Sequence, residues 1–228
     1  MPLSHVQGAE PDAHTEEALP EMLETERSDS WRRAFRVELR AEAIGLAFRG
    51  WPVLPGTYPV AGHWAGREGV EDTGPVPVHA DWRERVGTRP EQVATWWTGH
   101  PYSLLLATGF GYDAIEVGDG LGRAAARVLR SIGLPVPIIA TPDSRWFFLT
   151  RSDEPLATAL AADADITLHG AGDWITLPPS PFQHGVVHWR VKPEVCGWQI
   201  PSSRVVQDAL LDAMAESTTT TPIHLVGA

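Results

Sequence analysis

Tyr112-Asp113-Ala114-Ile115-Glu116-Val117-Gly118-Asp119-Gly120-Leu121-Gly122-Arg123 is the stretch whose reading decides the fold. An apolar run carrying two acids, Asp113 and Glu116, reads as a strand over Tyr112 to Val117. The residues after the glycines, with Ala124, Ala125, Val128 and Leu129 on one side, read as a helix from Leu121 to about Ser131 that Gly133 stops. Two acids one residue apart on a strand would point to the same side and could share a divalent ion. Here the strand ends Glu116-Val117-Gly118, so the second acid of such a pair is missing, and Asp119 follows one residue later.

Outward from this centre, Ser103 to Ala107, Val136 to Ala140, Trp146 to Thr150, Asp165 to His169, Trp174 to Leu177 and Val186 to Val191 have strand character, and a Pro142-Asp143-Ser144 turn joins the second and third of them. Helices are expected from Ser28 or Ser30 to about Arg49, from Pro90 to His100, over Glu154 to Ala162, and from Ser203 to Met214. A short strand at Pro52 to Leu54 precedes a Gly- and Pro-rich loop over residues 55–89. Strands and helices in this order argue an α/β (α+β) fold, a mixed sheet with flanking helices. The domain spans residues 30–214, between an acidic mobile tail (1–29) and a loose C-terminal tail (215–228).

Composition narrows the chemistry. The 228 residues carry a formal charge of −11. Seven acids and one Arg within residues 1–28 account for −6 of it, leaving no general basic face for nucleic acid. Lys192 is the single lysine, which removes a Walker-type phosphate loop. Cys196 is the single cysteine, which rules out an internal disulfide and a Cys-rich zinc site. The N-terminus shows no charged start followed by an apolar core, and no apolar run reaches the length of a membrane span, so the expected location is cytoplasmic, with no membrane partner.

Further landmarks surround the central stretch: Gly50-Trp51-Pro52-Val53-Leu54-Pro55, Trp96-Trp97, Ala107-Thr108-Gly109, and Pro178-Pro179-Ser180 followed by Gly185 and Trp189. In this order and spacing the chain resembles the bifunctional DNA primase/polymerase N-terminal (prim-pol) domain of the archaeo-eukaryotic primase superfamily, over roughly Ile44 to Trp189. The resemblance implies a prim-pol-like fold, a part in DNA replication, and two Mg²⁺ or Mn²⁺ ions held by an Asp-x-Asp pair and a third acid, with a His on the neighbouring strand touching the incoming triphosphate. Carried over residue by residue, the first acid falls on Glu116, the second on Gly118, the His on Trp146 and the third acid on Thr167. The expectation is a degenerate primase/polymerase-like domain, a pseudoenzyme that needs no metal cofactor and keeps a nucleotide, single-stranded nucleic-acid or protein-partner binding role. Arg123, Arg127, Arg130, Arg145 and Ser180 are its candidate binding residues.

Two other readings stand beside it. Glu116, Asp119 and Asp165 would form a shifted catalytic and metal-binding set in an active DNA primase/polymerase using Mg²⁺ or Mn²⁺. Alternatively, Glu116-Val117-Gly118-Asp119-Gly120-Leu121-Gly122 matches the acidic-x-Gly-x-Gly-x-Gly loop of class I S-adenosylmethionine-dependent methyltransferases, in which glycines admit a ligand to a helix N-terminus.

Overall fold

The computed structural model describes residues 18–69, 74–86 and 89–219, with side chains from residue 33 to 216. Along the chain, α1 (Ala18–Phe48) leads into β1 (Val53–Gly56) and the hairpin of β2 (Tyr58–Val60) and β3 (His63–Ala65). The short α2 (Trp82–Arg85) and α3 (Pro90–Trp96) follow, then β4 (Ser103–Ala107), β5 (Asp113–Gly118) and α4 (Asp119–Ser131). The remainder comprises β6 (Ile138–Ala140), β7 (Arg145–Thr150), α5 (Thr158–Ala161), β8 (Thr167–His169), β9 (Trp174–Leu177), the small hairpin of β10 (Pro181–Phe182) and β11 (Gly185–Val186), β12 (His188–Val191) and α6 (Ser203–Thr219). No helix among the described residues is long and apolar enough to cross a membrane.

The α/β class is as the sequence implies, but every ladder among the described residues is antiparallel, where the sequence reading expects a mixed sheet. A five-stranded sheet runs β12-β6-β7-β5-β8, and a second sheet runs β1-β4-β9. Strand periodicity assigns the two faces of the larger sheet. Ile115 and Val117 of β5, Trp146 and Phe148 of β7 and Ile138 of β6 pack with Ala125 and Leu129 of α4 and with Val206, Ala209, Leu210 and Ala213 of α6. The opposite face sends Ala114, Leu149 and Ile139 towards Leu104, Leu106, Ile175 and Leu177 of the smaller sheet, where Leu39, Ala43 and Leu46 of α1 join them. Of the candidate residues, Glu116, Arg145 and Asp165 meet on this second, inner face, at its β8 edge.

Several boundaries differ from the sequence reading. The first helix begins at Ala18 rather than near Ser28. The segment from Leu19 to Arg27 is rich in strong helix formers, and Pro20 sits in the first turn, where its missing N–H breaks no bond. The helical part of the expected mobile tail is therefore continuous with the domain's first helix; residues 1–17 lie outside the described residues. The expected loop over 55–89 contains the β2–β3 hairpin and α2, short elements whose two- and three-residue apolar patterns are too brief to register as periodicity. The last helix runs on through Thr218 and Thr219, past the expected stop at Met214. Most relevant to function, α4 starts at Asp119 with Gly118 as its N-cap, so the glycine-rich run is a helix's first turn and not a loop.

Candidate functional site

Glu116 is on the inner face of β5. Its cross-strand neighbours there are Phe147 on β7 and Thr167 on β8. One step towards the strand end, Gly118 faces Arg145, and one step back, Ala114 lies between Leu149 and His169. The positions that would extend an acid pair on this face therefore carry a hydrogen and a threonine.

The Glu116 side chain is only 18% exposed, and its oxygens are both taken. Arg145 donates from Nε to Glu116 Oε1 at 2.5 Å, and His169 Nε2 bonds Glu116 Oε2 at 2.7 Å. Arg145 continues outward, with Nη1 to Asp165 Oδ1 at 2.5 Å and Nη2 to the Asp165 carbonyl at 2.8 Å. The far side of His169 is held by Asp173, at 2.7 Å from Nδ1. The result is a chain of alternating charge, Asp173–His169–Glu116–Arg145–Asp165, across three strands. Burial works against the charged imidazole of His169, but the carboxylates of Asp173 and Glu116 outweigh it and raise its pKa to about 9. It is then an imidazolium at neutral pH and donates from both nitrogens. Burial likewise raises the Glu116 carboxyl, yet hydrogen bonds from His169 and Arg145 more than offset this and hold it below the ordinary range. Asp173 is depressed in the same way by His169, against the opposing effect of burial.

Glycine is a packing requirement at Gly122 and leaves room for a neighbouring carboxylate at Gly118. A Cβ on Gly118 would lie 2.5 Å from Asp165 Oδ2, so the Asp165 carboxylate fills the space a side chain at 118 would need. A Cβ on Gly122 would lie 2.7 Å from the ring of Trp146. Trp146, 6% exposed, is on the outer face under α4, and its Nε1 donates to Asp119 Oδ1 at 2.9 Å. The other Asp119 oxygen accepts from Arg123 Nε at 2.8 Å. Among the three acids of the shifted set, Glu116 and Asp165 meet at one guanidinium, whereas Asp119 is tied to a side chain of the opposite face. No group of three His, Cys, Asp or Glu among the described residues is arranged to hold a metal ion.

The remaining candidates separate similarly. Arg127 and Arg130 are exposed on α4, on the outer side of the sheet. Ser180 is fully buried, accepting from Leu104 N at 2.7 Å and donating to Leu104 O at 3.1 Å, so it clamps β4 and offers nothing to a ligand. The glycine-loop methyltransferase reading fails on topology: its strand is flanked by antiparallel neighbours on both sides, and Gly118 and Gly122 pack against Asp165 and Trp146.

Residues 43–203, 161 of the 228, match the family described as bifunctional DNA primase/polymerase, N-terminal (Prim-Pol). The chain belongs to that family. No curated protein and no solved structure matches it.

The register corrects one carry-over from the prim-pol pattern. The triphosphate-contacting His was assigned to Trp146, but Trp146 points away from Glu116; the β7 side chains on the inner face are Arg145 and Phe147. The donor set does not fit the divalent ions that a prim-pol site implies. Gly118 and Thr167 bring no carboxylate, both Glu116 oxygens are bonded to cationic groups, and Asp165 is paired with Arg145. His169 and Asp173 escaped the sequence reading; the one available signal was their four-residue spacing across a turn, which is too common to single out.

The pKa of His169 sets a pH dependence. Because it is raised from 6.5 to about 9, its contribution to stability is fully present below pH 6.5 and is lost as pH rises through 9. Glu116 and Asp173 are depressed, so their contributions are lost on the acid side. Urea midpoints measured against pH are expected to peak between these limits and to fall on the alkaline limb by on the order of 3 kcal/mol. His169→Gln should flatten that limb. An unchanged alkaline limb in the variant would mean another group titrates there.

Proposed function

We propose that this prim-pol domain is catalytically degenerate and works by binding single-stranded nucleic acid. The observation that carries the first half is the pair of inner-face positions beside Glu116: Gly118 and Thr167 provide no carboxylate. Two-ion phosphoryl transfer depends on clustered acids to seat the ions and shield the leaving group. A side chain at 118 would have to displace Asp165.

A groove of about 720 Å³ supports the second half. Phe35 and Arg36 of α1, Tyr58 and Pro59 of the first hairpin, and Phe182 and Val186 of the last one line it. A Cβ built on Gly185, on its wall, would lie 3.0 Å from Pro142, in the turn that leads to Arg145. Arg36 also belongs to a shallower depression with Arg33, Arg40 and Trp97. Aromatic surfaces beside a row of arginines suit stacked bases and a phosphate backbone, despite the net negative charge of the chain.

The expected result with Mg²⁺ or Mn²⁺ is no template-directed nucleotide incorporation, together with oligonucleotide binding by fluorescence anisotropy at low salt. Replacing Arg33, Arg36 and Arg40 by Ala should weaken that binding and flatten its salt dependence by roughly two units for three lost single-strand contacts. The same loss from Arg123, Arg127 and Arg130 instead would move the surface to α4. No binding at low salt would sink the nucleic-acid role and leave a protein partner. Robust incorporation that Glu116→Ala abolishes would make the chain an active polymerase with shifted carboxylates.

A further inference from the structure

We propose that Arg145 is a resident cation, holding the seat a divalent ion would take, and that removing it turns Glu116 and Asp165 into a divalent-cation site. The inference rests on the degenerate reading above and concerns how the site came to be closed. Three oxygens from three groups converge on one guanidinium: Glu116 Oε1 on Nε, Asp165 Oδ1 on Nη1 and the Asp165 carbonyl on Nη2. Two carboxylates and a backbone carbonyl are the hard-oxygen ligands that Mg²⁺, Mn²⁺ and Ca²⁺ take, with water completing the shell. A planar fork of N–H donors satisfies the same oxygens with one charge and needs no ion from solution.

The Glu116 carboxylate is held from its other side independently of Arg145. His169, propped by Asp173, fixes the other oxygen of Glu116. The backbone N–H of Asp165 donates to Asp163 Oδ1 at 2.9 Å, which fixes the turn, while its exposed carboxylate is directed by Arg145. Gly118 leaves room for it: a Cβ there would stand 2.5 Å from Asp165 Oδ2, the end of an exposed side chain, and 3.6 Å from Arg145 Nη1. An acid at 118 would thus compete with the Asp165 carboxylate for one space. Gly118, Arg145 and Asp165 form a consistent set: the space beside Gly118 is filled by an acid from the turn before β8, and the cation is covalently supplied from the neighbouring strand.

The test is titration of the full chain with Mn²⁺, followed by electron paramagnetic resonance of the free ion and by melting temperature. Wild type should bind no Mn²⁺ saturably at this site. Arg145→Ala should gain one site at least tenfold tighter than any in wild type, with a melting temperature that rises with Mn²⁺ as ligand linkage requires. Adding Asp165→Ala to it should abolish the gain. Arg145→Gln, which keeps more of the packing, carries the same expectation should the alanine variant not fold. Saturable Mn²⁺ binding by wild type that Glu116→Gln removes would overturn the proposal, as would the absence of a gained site in both Arg145 variants. Either result is distinguishable from failure of the degenerate reading, which is decided by nucleotide incorporation and not by metal uptake.

Discussion

Glu116→Ala is expected to destabilise the fold by about 3 kcal/mol, because it strips two largely buried cationic groups of their common partner. The side chains of Arg145 and His169 are 24% and 16% exposed, so solvent replaces little of what Glu116 supplies. The direction of the change separates two kinds of site. An acid held among other acids for a metal ion is under like-charge repulsion, and its removal commonly stabilises the protein at the expense of activity. Here Glu116 is the link between an imidazolium and a guanidinium, so its removal must destabilise. Urea unfolding of Glu116→Ala and Glu116→Gln checks this, and a gain in stability in either variant would show that the acids repel one another.

Trp146→Ala should cost more, about 3–5 kcal/mol, through loss of a large core side chain between the sheet and α4. The same indole explains Gly122. Its Cβ would meet Cγ, Cβ and Cδ2 of Trp146 within 2.8 Å, and Gly122→Ala is expected to cost about 1–3 kcal/mol by overpacking. In a Trp146→Ala background the Gly122→Ala penalty should largely disappear, since residues in contact are not additive. A penalty that persists in the double variant would show that Gly122 answers to something other than this ring. Trp146→His is correspondingly not a route back to catalysis, because the imidazole would enter the outer core and leave Asp119 without its indole donor.

The strands from Ser103 to Ala107 and from Trp174 to Leu177 were legible in the sequence to the residue, and the helix after Gly118 nearly so. Their apolar periodicity is local, and Gly and Pro punctuate their ends. That Gly118 carries no carboxylate two residues after Glu116 was equally legible, since it is read directly from the strand's end. The family was legible too, from landmarks scattered over most of the chain. The glycine run misled, because the same letters describe a ligand loop and a close-packed helix start, and only the neighbours of each missing Cβ distinguish them.

By itself, then, the sequence determined the elements, the class and the absence of one carboxylate, all of which depend on residues near one another in the chain. The tertiary structure alone decided which side chains share a face and what fills the gap. Placing Arg145 and not Trp146 beside Glu116 depends on strand register, where a slip of one residue reverses the face of every side chain. Bringing Asp165 and His169 to Glu116 joins residues 49 and 53 positions away, a relation no local pattern encodes. The charge network exists because antiparallel pairing of β5 with both β7 and β8 brings an acid, a guanidinium and an imidazole from three strands to one half-buried edge, where each can stay charged only in the company of the others.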